Sequence, residues 1–139
     1  MLFLLYINDF HKCSKLFDFH LFADDANLFY ENKNISVLET TVNAELNRVY
    51  DWLCANMLSL NIQKSNYVIF HPPQRNIRNL NINLMINEVQ MKRESCVTYL
   101  GVLIDSTLSW KSQVEYVSKN NDETLESSAN SATLLQKIF

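Results

Sequence analysis

The sequence has one glycine, two prolines and three cysteines in 139 residues, and each scarcity removes something. A phosphate-cradling loop needs several glycines to let backbone N–H groups approach the ligand, and a nucleophile elbow needs glycines on both sides of its serine. Gly101 alone can supply neither, so P-loop nucleotide hydrolases and serine hydrolases are excluded. Glycine and proline at this level are also few for a complete enzyme domain. Cys13, Cys54 and Cys96 are odd in number and widely spaced, giving neither a disulfide framework nor a paired metal-ligand motif. They read as free thiols in a reducing compartment. His11, His20 and His71 lack the helical pair spacing of a metal site and read as ordinary histidines.

Positive charge is also short: 12 basic residues face 15 acidic ones, a formal net charge of -3. A free-standing nucleic-acid binder normally carries a basic footprint, so any handling of a polyanion here must rely on local charge. The early apolar run, residues 1–7, falls far short of the roughly 20 residues of a membrane helix and has no basic stretch before it. The chain reads as intracellular, nuclear or cytoplasmic, with no membrane partner.

Apolar content is ample. With 47% hydrophobic and 12% aromatic residues the chain suits one globular domain, and a chain of this size buries roughly 68% of its unfolded surface without needing disulfides or metals. The opening LFLLYINDF is apolar almost all round and is expected as a buried helix. Because natural termini are usually exposed and frayed, a first turn of Leu2, Phe3, Leu4 and Leu5 suggests a fragment.

Two β-prone runs follow, His20 to Ala23 and Ala26 to Tyr30, spaced for a hairpin around Asp24-Asp25. Ser36 and Glu39 form a candidate capping box, after which Leu38, Val42, Leu46, Val49 and Leu53 recur at helical spacing toward Met57. A strand at Tyr67 to Phe70 is stopped by Pro72-Pro73. A second hairpin is expected around Asn87-Glu88, a β run from Val97 to Ile104, and a helix from Lys111. Trp52 and Trp110 are expected to pack. The order predicts an α+β fold with antiparallel hairpins packed on helices, and the residues from Asn120 on are polar and weakly periodic.

Three features can carry chemistry. In HLFADDANLFY, two adjacent carboxylates sit between apolar β runs. Mg2+ is a hard cation that takes one or two carboxylates together with substrate phosphates, and strands hold such ligands better than a mobile loop. The plain alternative is that Asp24 and Asp25 are solvated turn residues. Lys64, in the loop after the long helix, could donate a proton to a leaving phosphate, or be an ordinary surface lysine. Gly101 lies inside an apolar run, where glycine marks a bulge, a close backbone approach or a packing accommodation.

In order along the chain, LFLLYINDF, FADD with its apolar flanks, LSLNIQKSNYVIF and YLGVLIDSTLSW resemble consecutive blocks of the reverse transcriptases of non-LTR (LINE-type) retrotransposons. The resemblance covers residues 1–118, leaving 119–139 as a divergent polar tail able to form a helix. It implies a partial polymerase palm with Asp24 as the main metal ligand and Asp25 as the auxiliary carboxylate. It also implies Lys64 near the phosphates of the incoming nucleotide, and Tyr99, Leu100 and Gly101 in the hairpin that grips the primer end. The implied reaction is two-metal nucleotidyl transfer with Mg2+, an RNA template, a DNA primer and a dNTP.

The family's further catalytic aspartate, on a strand before these blocks, and its fingers have no counterpart here. Two ions on Asp24 and Asp25 alone are under-liganded. The chain is therefore expected to be an inactive fragment of an RNA-directed DNA polymerase. The missing strand is expected to leave an exposed sheet edge, and the missing domains an uncovered face from Leu2 to Ile7, which together favour self-association.

Two other readings stand beside it. A receiver-like phosphoacceptor domain also uses an early acidic pair for Mg2+, but needs alternating parallel strands and helices and a strand-end aspartate before its lysine, whereas Asp105 follows Lys64. An inert structural or interaction remnant would have the same fold and no Mg2+ dependence.

Overall fold

The computed structural model describes residues 5–22, 25–75, 77 and 80–122, the last four by their backbone. The described residues form a mixed α+β arrangement in which two helices, α1 (Ile35–Ala55) and α2 (Lys111–Asp122), accompany short paired strands. Strands β1 (Asp18–Phe22) and β2 (Asp25–Phe29) form the first antiparallel hairpin. β3 (Asn66–Val68) pairs with β6 (Lys92–Glu94), β4 (Met85–Ile86) with β5 (Val89–Gln90), and β7 (Cys96–Tyr99) with β8 (Val102–Asp105). Three of these pairs are antiparallel, but β3 and β6 run parallel, with Tyr67 opposite Arg93. The expectation of uniformly antiparallel pairing is corrected there. A parallel pair needs a long crossover, and residues 69–91 supply it.

α1 is the spine of the core. Val42, Leu46, Val49 and Leu53 are buried along one stripe and meet Ile7, Phe10, Phe17, Leu28, Tyr67, Ile82, Leu84 and Ile86. Asn34, rather than the expected Ser36, caps its start: the Asn34 Oδ1 accepts from the backbone N–H groups of Ser36 and Val37 at 3.0 and 3.3 Å, satisfying two of the helix's orphan donors. Glu39 is thereby released from a capping role. Its Oε1 accepts from Asn83 N at 3.0 Å, while Asn43 donates to Asn83 O and accepts from Met85 N, both at 2.8 Å. The two side chains thus occupy backbone groups at 83–85 that a neighbouring strand would otherwise take.

One buried carboxylate ties the N-terminal segment to the helix. Glu45 lies within the apolar stripe, its Oε2 accepting from Ser14 Oγ and its Oε1 from Arg48 at 2.7 Å. Ser14 Oγ in turn accepts from the N–H groups of Leu16 and Phe17, which turns the chain into β1. A buried charge needs such partners to offset its lost hydration.

The opening segment departs from the buried helix expected of it. Ile7 and Phe10 are buried, Phe10 in the 3-10 turn Phe10–Cys13, but Leu5 is 70% exposed and Tyr6 48%. Leu2, Phe3 and Leu4 lie outside the described residues. Trp52 packs against Phe10, with ring centroids 4.9 Å apart, as expected, while Trp110 is 69% exposed and is corrected to a surface residue.

The β run expected from Val97 to Ile104 is two strands. Leu100 and Gly101 both have positive φ, +49° and +82°, and fold β7 back onto β8, so the glycine sits at a hairpin tip and not within a strand. Asn87 and Glu88 do the same between β4 and β5, with φ of +48° and +64°. Both pairs have the two consecutive positive angles of the turn whose twist suits a two-residue hairpin. Among the described residues, no helix is long and apolar enough to cross a membrane.

Candidate functional site

The acidic hairpin is offset by one residue from the sequence expectation. Its register pairs Phe22 with Asp25, Leu21 with Ala26 and His20 with Asn27. Asp25 is therefore the first residue of β2 rather than part of the connection, while Ala23 and Asp24 lie outside the described residues. The offset matters because a strand residue is held more firmly than a turn residue.

Side chains alternate along a strand, so Asp25, Asn27 and Phe29 share one face of β2, with Ala26 and Leu28 on the other. The second face enters the α1 core. The first leads to a smaller apolar cluster, where Phe29 packs with Val68, Val97, Tyr99 and Ile104. Phe29 is the link on the hairpin side. Its ring meets Tyr99 edge to face with centroids 6.3 Å apart, and the His20 ring at 5.1 Å. The FADD and YLG hairpins are thus packed together through Phe29 and Tyr99, while Leu100 stands 55% exposed at the second tip.

Asn27 is the residue on this face that sequence reading missed. It is buried, its Nδ2 lies 3.5 Å from His20 O, and its Oδ1 has no hydrogen-bond partner among the described residues. Burying an unpaired amide oxygen costs on the order of 1–3 kcal/mol. Only the strand register reveals that it shares Asp25's face.

Lys64 is exposed and ends the 3-10 turn Ile62–Lys64, whose first residue follows Asn61. Asn61 Oδ1 accepts from Lys64 N at 3.2 Å and fixes the backbone there, immediately before β3. No contact joins the Lys64 side chain to the acidic hairpin among the described residues. Asp105 is committed elsewhere. Burial pushes its carboxyl up, but hydrogen bonds from the Thr107 and Ser109 hydroxyls and N–H groups outweigh this and bring it down to about 2. It is an anion closing its own turn. Burial pushes the Cys13 thiol up to about 11, which leaves it protonated at neutral pH and a poor nucleophile.

As a cation site, the described part of the hairpin offers the Asp25 carboxylate and, on the same face, the Asn27 amide oxygen. Such oxygen donors suit a hard cation that keeps most of its waters. They do not make a two-ion centre, since no group of three or more His, Cys, Asp or Glu side chains gathers among the described residues. Compared with protein-family models, with curated proteins and with solved structures, the chain matches none.

Proposed function

We propose that this chain is part of the palm of an RNA-directed DNA polymerase of the non-LTR retrotransposon type, inactive when isolated. The single observation supporting this reading is the edge-to-face contact of Phe29 with Tyr99, which sets the acidic hairpin beside the Tyr99-Leu100-Gly101 hairpin. A polymerase must gather its metal-binding carboxylates and the primer end into one site, and this contact ties the two hairpins at Phe29, four residues along β2 from Asp25.

In the longer protein, Asp24 and Asp25 would furnish carboxylate oxygens for Mg2+. Bound there, Mg2+ would supply Lewis-acid activation of a primer 3′ hydroxyl and charge neutralisation for leaving pyrophosphate. Tyr99, Leu100 and Gly101 would bear on the primer end, Lys64 would offer its ammonium proton to the leaving group, and an RNA template and dNTP would complete the complex. A two-ion site requires carboxylates beyond Asp24 and Asp25, which the longer protein would supply.

The test is sequencing of the native transcript and its locus upstream of Met1, followed by primer extension with the joined protein. An in-frame strand bearing an aspartate, with extension abolished by Asp24→Asn and by Asp25→Asn, is the expected result. Stops or unrelated sequence upstream would leave the inert-remnant reading.

A further inference from the structure

A cleft of about 780 Å³ is lined by Ile69, His71, Arg75 and other described residues before β4, by the end of β6 and by the turn after β8, and none of Asp25, Lys64 or Tyr99 lines it. Its floor is fixed by backbone bonds between distant segments. His71 N donates to Ser106 O at 2.9 Å, and Ser106 N to Ser95 O at 2.8 Å. A volume of this size lies within the roughly 300–1,000 Å³ of small-molecule sites.

The charge inside it runs against the chain's net -3. Of four arginines in the sequence, Arg48 pairs with Glu45 and Arg78 lies outside the described residues; the remaining two, Arg75 and Arg93, both line this cleft. Glu94 is the one carboxylate on the lining, and its Oε1 is engaged by Lys92 Nζ at 2.5 Å. The nearby Asp105 is enclosed by Thr107 and Ser109. Arg93 is anchored through bonds to Leu80 O at 2.7 Å and Ile77 O at 3.4 Å, and a guanidinium with five N–H donors keeps others after two such bonds. Gln74 and Ser95 add neutral donors to the lining.

We propose that this cleft binds a phosphate group, with Arg93 as the fixed and Arg75 as the mobile cationic partner. Guanidinium groups match phosphate oxygens in pairs, and a locked arginine loses little freedom on binding. The phosphate is either free, as in pyrophosphate, or part of a polynucleotide backbone. The inference is carried by the cleft alone and stands or falls separately from the polymerase reading.

Fluorescence anisotropy on the full chain with end-labelled octathymidylate, and calorimetry with pyrophosphate, test it directly. Arg75→Ala removes a side chain on the exposed rim and is checked for folding by circular dichroism; Lys33→Ala, which removes the same charge from an exposed residue away from the cleft, serves as the control. The expected result is binding of at least one probe, weakened about tenfold or more by Arg75→Ala and unchanged by Lys33→Ala. Octathymidylate binding that falls with salt identifies backbone phosphates, at a log–log slope of roughly -0.7 per phosphate contacted. Pyrophosphate binding alone identifies a free phosphate. Failure of both probes at millimolar concentration, or equal binding by folded Arg75→Ala, overturns the proposal.

Discussion

The rings of Phe29 and Tyr99 meet edge to face, 6.3 Å between centroids and 88° between planes, and join the hairpin that carries Asp25 to the one that carries Gly101. Such pairs contribute about 0.5–1.5 kcal/mol beyond their area burial. A double-mutant cycle of Phe29→Leu and Tyr99→Leu, read by urea unfolding, should give a coupling energy of about 1 kcal/mol. Strict additivity would mean that the two hairpins do not depend on this contact.

Glu45 should be the most costly polar residue of α1 to remove. Its carboxylate, buried in an apolar stripe, accepts from the buried Ser14 hydroxyl and from the exposed Arg48 guanidinium. Glu45→Ala is expected to cost about 2–3 kcal/mol, since it strands the Ser14 hydroxyl and opens a void. Arg48→Ala should cost about 1 kcal/mol or less, because the Arg48 side chain is 64% exposed and water replaces it. Thermal unfolding of the two variants gives the comparison, and equal losses would count against a buried role for Glu45.

Acid should weaken the turn after β8. The Asp105 carboxyl is held at about 2, below the ordinary carboxylate value of roughly 3.9, by bonds from Thr107 and Ser109 that outweigh the effect of its burial. A lowered folded-state value means the stabilisation is full above about pH 4 and is lost as pH falls toward 2. Urea midpoints at pH 6 and pH 2.5 should therefore differ less for Asp105→Asn than for the unmodified chain. An identical pH dependence would place the acid sensitivity elsewhere.

At the second hairpin tip, Gly101 has φ +82° and open space where a Cβ would stand, so substitution there is a matter of backbone strain alone. Gly101→Ala should cost about 1 kcal/mol, and Gly101→Asn less, because asparagine tolerates the left-handed region. Equal destabilisation by the two, measured by unfolding, would point to lost contacts instead.

Much of this arrangement was legible in local pattern. Leu38, Val42, Leu46, Val49 and Leu53 announce α1, and Asn87-Glu88 announces its hairpin. The cap moved from Ser36 to Asn34 because Asn34 reaches both Ser36 N and Val37 N, leaving Glu39 to a partner 44 residues away that no local motif reveals. The one-residue shift of the acidic hairpin follows from the Phe22–Asp25 pairing. Leu100 hid the turn at 100–101, since a leucine with φ +49° breaks the usual residue preference for that position. The parallel β3–β6 pair and the arginine cleft were illegible for a common reason: each joins segments far apart in sequence, with no periodicity to mark the meeting.

Mg2+ binding at the acidic hairpin is read from a thermal shift. For a dissociation constant of about 1 mM, about 10 mM Mg2+ stabilises the folded chain by about 1.4 kcal/mol, a rise in Tm of roughly 4 °C. The unmodified chain should show that rise over a control matched in ionic strength with NaCl, and Asp24→Asn and Asp25→Asn should each abolish it. No rise in the unmodified chain, or the same rise in both variants, would contradict a cation site at Asp24 and Asp25.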